Sequence, residues 1–147
     1  MNSARMHNEQ QLVIRKGRLI TPSLHDGYLL GLIAPGDQHL LVLMKDTAQV
    51  TYCLMLSGVE RCRADDFWEG NIILDITIEE GNAVNIEDVA DALAVGADDP
   101  FLHKTMHRVC TEKLLLVRIN PSYGCALVVL CRAVELAKDW TGILSRC

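Results

Sequence analysis

The chain has 147 residues, half of them apolar and 22% charged, with a net charge of −5. A chain this long buries about two-thirds of its unfolded surface, so one domain with its own core is expected and no staple is required. The composition is too apolar for disorder, and the scattered Lys and Arg lack the clustering with which a nucleic-acid interface releases phosphate counterions.

The nearest approach to a basic cluster is Arg5, Arg15, Lys16 and Arg18, beside a polar N-terminus. The longest wholly apolar run is Cys125 to Cys131, seven residues, whereas a spanning helix needs about 20. Residues 1–11 hold no apolar segment and read as a flexible terminus rather than a secretory leader. These features predict a soluble, cytoplasmic protein that touches neither membrane nor nucleic acid. The surplus apolar surface suits a subunit interface. The six cysteines form no C-x-x-C pair and several lie in apolar runs, which reads as reduced core thiols.

Turn signals recur at Asp26-Gly27, Pro35-Gly36-Asp37, Lys45-Asp46, Ser57-Gly58, Glu69-Gly70-Asn71 and Glu80-Gly81-Asn82. That beat predicts a largely antiparallel meander of about five or six strands in residues 12–79. Tyr28 to Ala34 is one strand, with Gly31 marking a bulge or close approach. Leu40 to Met44 is apolar on both faces and predicts a covered central strand. Val59 to Asp66 is charged and suits an edge. In Asn71 to Glu79, alternation sends Ile72, Leu74, Ile76 and Ile78 to one face and Asn71, Asp75, Thr77 and Glu79 to the other, with Ile73 as the exception.

The period then becomes helical. Asn85 and Asp88 resemble a capping box; Ile86, Val89, Ala90, Leu93 and Ala94 form a stripe; Gly96 closes a helix near 86–96. Asp99 and Pro100 open a second helix near 100–112, with Leu102, Met106, Val109 and Cys110 as its stripe. Leu114 to Ile119 reads as a strand ending at the Asn120-to-Gly124 turn. Cys125 to Cys131 reads as a second strand. The helix formers of Arg132 to Trp140 predict a short final helix, so the chain ends as a strand pair or a strand plus helix. The whole of 12–147 is expected to be a single α+β domain, with helices covering one sheet face.

Four sets of residues could carry chemistry. His103, His107 and Cys110 fall within an arc of about 60° on a helix, and imidazole and thiolate both ligate zinc. No H-E-x-x-H base accompanies them, and an amphipathic boundary explains them equally well. Cys125 would gain nucleophilicity only at a helix start, which the strand reading removes. Asp65, Asp66, Glu69 and Asp75 could serve acid–base or cation chemistry, but carboxylates ordinarily stay solvated. Phe67 and Trp68, in a turn between strands, could be interaction anchors or could cap the sheet end. Trp140 is expected to pack within the last helix.

Phosphate-binding glycine motifs and G-x-S-x-G are missing. The function expected is therefore a non-enzymatic protein-binding or assembly module, self-associating as a homo-oligomer such as a homodimer or masking another protein. The alternative is a small metal-dependent or thiol enzyme using His103, His107 and Cys110. No cofactor is expected under the first reading, and zinc under the second.

Overall fold

The computed structural model describes residues 11–139. The expected flexible terminus, except for its last residue, and the placements of Trp140 and Cys147 lie outside that range. Among the described residues the chain is a largely antiparallel sheet with two helices, an α+β arrangement. The strands are β1 (Val13–Arg15), β2 (Arg18–Thr21), β3 (Tyr28–Gly36), β4 (His39–Lys45), β5 (Thr51–Ser57), β6 (Arg61–Asp65), β7 (Asn71–Glu80), β8 (Leu115–Tyr123), β9 (Ala126–Cys131) and β10 (Ala133–Lys138). A 3-10 turn at Gly81–Ala83 leads to α1 (Ile86–Leu93) and α2 (Pro100–Thr111).

Seven strands precede the helices where five or six are expected. The extra ones come from a turn at Lys16-Gly17, where both residues are left-handed and Arg15 pairs with Arg18. Such a two-residue turn matches the twist of a hairpin.

The strands follow the order β10-β5-β4-β3-β7-β8-β9-β6, with β2 on β7 and β1 on β2. The two ends of this path are continuations of strands inside it. β5 runs into β6 through Gly58, and β9 runs into β10 through Arg132. β10 pairs with β5, and β6 pairs with β9. Arg132 N–H donates to Ser57 O at 3.0 Å and Glu60 N–H to Leu130 O at 2.8 Å, bridging the two ladders. Two long bent strands thus run side by side, and the sheet curls back on itself into a barrel-like form. The seam between β3 and β7 is narrow: only Tyr28↔Ile72 and Leu29↔Asn71 pair.

Curling explains why so many strands are apolar on both faces. Leu40, Val42, Met44, Leu54, Leu56, Ile76, Val117, Ile119, Leu127 and Val129 fill the interior. Alternate residues of β8 and β9 (Leu116, Val128 and Leu130) face outward and pack under Val89, Ala92 and Leu93 of α1 and Leu102 and Val109 of α2. At about 25 cal/mol per Å² of apolar surface, this double burial is the dominant stabilising term.

Several expectations are corrected. Ser57-Gly58 bends a strand rather than reversing it, so β6 pairs with β9 and not with β5. Gly58 has φ +60, and a Cβ there would lie 2.8 Å from the Arg132 side chain. The final helix over 132–140 is instead β10: six ladder pairs with β5 outweigh the helix propensity of Ala, Glu, Leu and Lys.

The first helix ends at Leu93 with Ala94 left-handed (φ 55), not at Gly96. Its N-cap, Asn85, accepts from Glu87 N–H, while Asp88 pairs with Arg118 at 2.9 Å and does not close a box. In α2, Cys110 is exposed and Thr105 takes a buried place in the stripe. The alternation assigned to β7 fails in its first half. Register shifts between Ile72 and Ile73 and between Ile73 and Asp75 turn Asn71 and Ile73 inward and leave Leu74 exposed.

Other expectations stand. Gly31 lies at a register shift in β3. Leu40 to Met44 are all buried, between β3 and β5. Asp99 caps α2 by accepting from Phe101 N–H, with Pro100 at its first position. Among the described cysteines none forms a disulfide; Cys53, Cys125 and Cys131 are the core thiols expected, whereas Cys62 and Cys110 are exposed.

Candidate functional site: an aromatic loop held by a buried amide

The chain between β6 and β7 carries Phe67 and Trp68, which are 47% and 60% exposed. Apolar side chains of this size seldom stay in water without a use when they lie together. Beside them an open groove of about 720 Å³ is lined by Tyr28, Leu30, Lys45, Phe67, Trp68 and Glu69, among others. Leu30 is exposed on its β3 wall, and the Lys45 ammonium lies 5.2 Å from the centre of the Tyr28 ring, a cation–π contact.

What holds the loop is Asn71, only 2% exposed. Its Oδ1 accepts from Trp68 N–H at 2.8 Å and from Cys125 N–H at 3.0 Å. Its Nδ2 donates to Trp68 O at 2.6 Å and to Leu29 O at 3.4 Å. An amide side chain offers two acceptor and two donor positions, and all four are used. One buried side chain therefore ties the loop to β3 and to the entry of β9. The approach is so close that residue 124 must be glycine. Gly124 has φ +84, and a Cβ there would fall well inside van der Waals contact with Asn71 Oδ1. The loop presents its aromatics on a fixed backbone, which lowers the ordering cost of binding.

The remaining candidates are spread apart. Asp65 pairs with Arg63 at 2.9 Å. Asp75, on β7, meets Arg18 at 3.5 Å and accepts from Asn120 Nδ2 at 2.6 Å. Asp66 and Glu69 are exposed and form no ion pair among the described residues. His103, His107 and Cys110 are exposed on α2. Among the described residues no three His, Cys, Asp or Glu side chains gather as a group able to hold a metal. Cys125 lies in a buried approach to β9, where burial, then Asp65, pushes its thiol pKa up. Cys131 is pushed up to about 11 by burial. Both changes suppress the thiolate.

A second cleft, of about 440 Å³, lies where β2 splays from β7, with Ile20 and Leu74 exposed on its walls and Arg18, His25 and Asp75 around it. His25 Nδ1 lies 2.7 Å from Leu74 O.

Asn71 is the residue that pattern reading missed, because alternation placed it on the polar face. The one signal was an Asn opening a strand directly after a Gly turn. The chain matches no family model, no curated protein and no solved structure. No helix among the described residues is long and apolar enough to cross a membrane.

Proposed function

We propose that this protein is a binding module that docks another protein chain on the Phe67–Trp68 loop. The observation that carries this is the combination of two exposed aromatics with a fully satisfied buried clamp beneath them. Aromatic anchors on a pre-ordered backbone are the usual centres of binding energy at protein interfaces. The groove beside the loop gives a partner side chain somewhere to go.

A photo-crosslinking amino acid at position 68 tests the reading in the organism's own cells. The expected result is a discrete adduct, either with a second copy of the chain or with another protein. The same probe at His103, exposed on α2, serves as the reference. An adduct yield at 68 no greater than at 103 overturns the proposal.

A further inference from the structure

The charge around the loop narrows the partner. The local sequence is Asp65-Asp66-Phe67-Trp68-Glu69. Asp65 is compensated by Arg63, but Asp66 and Glu69 have no ion-pair partner among the described residues. Asp66 is held in a left-handed conformation (φ 58) next to the two aromatics, and Glu69 lines the same groove. Two carboxylates with no ion-pair partner among the described residues thus flank the two exposed aromatics in sequence, while the Lys45 ammonium of the same groove lies over Tyr28. An exposed aromatic face attracts a cation, and adjacent carboxylates add to that field. The opposite wall already shows the chemistry, with Lys45 laid over Tyr28.

Resting on the reading above, we infer that the occupant of this loop and groove is a basic segment of a partner protein, whose Arg or Lys side chains stack on Trp68 between Asp66 and Glu69. A second copy of the chain is a poor occupant. A two-fold contact centred on the loop would set the same two carboxylates against themselves, and the chain as a whole carries −5.

Titrating the full chain with N-acetyl hexa-arginine amide at low and moderate salt tests this, with hexa-glutamate as the control peptide. Hexa-arginine is expected to bind, and hexa-glutamate to give no response. The Asp66→Asn/Glu69→Gln pair should weaken hexa-arginine at least about fivefold, more at low salt than at high. Trp68→Leu should weaken it similarly. Removing two exposed carboxylates elsewhere, with Glu87→Gln and Asp98→Asn, should change it less than about twofold by the same screening argument. Unchanged thermal unfolding of each variant shows that the fold is intact. No hexa-arginine binding, or equal loss in both charge-removal pairs, overturns the inference. If the crosslinker at 68 still gives an adduct in that case, the docking role survives and only the basic partner is lost. An adduct solely between two copies of the chain has the same meaning.

Discussion

Two exposed surfaces of this molecule make an instructive contrast: the outer face of α2 and the loop before β7. The helix face displays His103, His107 and Cys110, brought near one another by nothing more than helical spacing. On the packed side of the same helix runs a buried stripe of Leu102, Thr105 and Val109. The loop displays Phe67 and Trp68 on a backbone tied down by the four hydrogen bonds of one buried amide, Asn71. Regular spacing sets side chains in a row at no cost and for no stated purpose. Holding large apolar groups in water costs stability, and here a four-bond amide clamp is devoted to it. The costly arrangement is the better guide to function.

The sharpest way to break the contrast is to remove the clamp. Asn71→Leu should destabilise the protein by about 3 kcal/mol, because it strands the buried Cys125 N–H and Leu29 carbonyl and the half-buried N–H and carbonyl of Trp68. Urea unfolding followed by circular dichroism checks this. A loss below about 1 kcal/mol would mean the loop orders itself, since a single exposed hydrogen bond contributes roughly that much.

Next in size is the ion-pair cluster that joins α2 to the barrel's bends. The Arg108 guanidinium meets Glu60 and Glu112, and Arg132 meets the same two carboxylates at 3.3 and 3.2 Å. Glu60 sits at the β5–β6 bend and Arg132 at the β9–β10 bend. Glu60→Gln should cost about 1 kcal/mol, a figure already reduced for solvent screening. Arg108, then Arg132, holds the Glu112 carboxyl below the usual carboxylate range. A depressed carboxyl pKa contributes stability that is complete above the unfolded value and is lost as pH falls through the folded one. Glu112→Gln should therefore flatten the acid limb of the stability profile below the ordinary carboxylate range, measured by thermal unfolding at stepped pH. A slope equal to wild type would remove this pair from the acid response.

Smaller still is the effect of the anchor on stability. Trp68→Ala should shift unfolding by less than about 0.5 kcal/mol, as for surface residues in general, while weakening the binding of hexa-arginine. Loss of fold in this variant would make Trp68 a sheet cap and not an anchor. The least effect is expected on the helix face. His103→Ala with His107→Ala should leave the melting temperature within about 1–2 °C, corresponding to a few tenths of a kcal/mol, with or without EDTA. In a Cys147→Ser chain, Ellman's reagent should reach Cys110 first. Cys62, exposed by residue yet with its thiol pKa raised by local desolvation, follows more slowly. Cys53, Cys125 and Cys131 should react only on unfolding. A stabilising response to zinc would favour the metal reading of this face.

The contrast also marks what a single sequence can disclose. Strands β3, β4, β5, β7, β8 and β9 were legible because turn residues and apolar runs are local signals. Closure was not. Ser57-Gly58 has the composition of a hairpin turn, and only a partner 76 residues away makes it a bend, as the pairing of Ser57 with Ala133 shows. Ala133 to Lys138 has helix-forming residues, and the same distant partner turns it into a strand. The Phe67–Trp68 pair was visible as loop aromatics, but the reason for its exposure was hidden in Asn71. A bulge at Leu74 displaces the alternation of β7, and alternation is the rule by which inward and outward residues are told apart.

The two matched bends have a consequence for how the chain is made. The staves that close the sheet come from its middle and its last fifth, so a nascent chain that has emerged only as far as α2 has nothing to seal β5 and β6. Its interior residues and the strand edge of β6 stay bare until β9 and β10 leave the ribosome. Truncation before residue 126 should therefore yield an aggregating fragment and not a smaller folded unit.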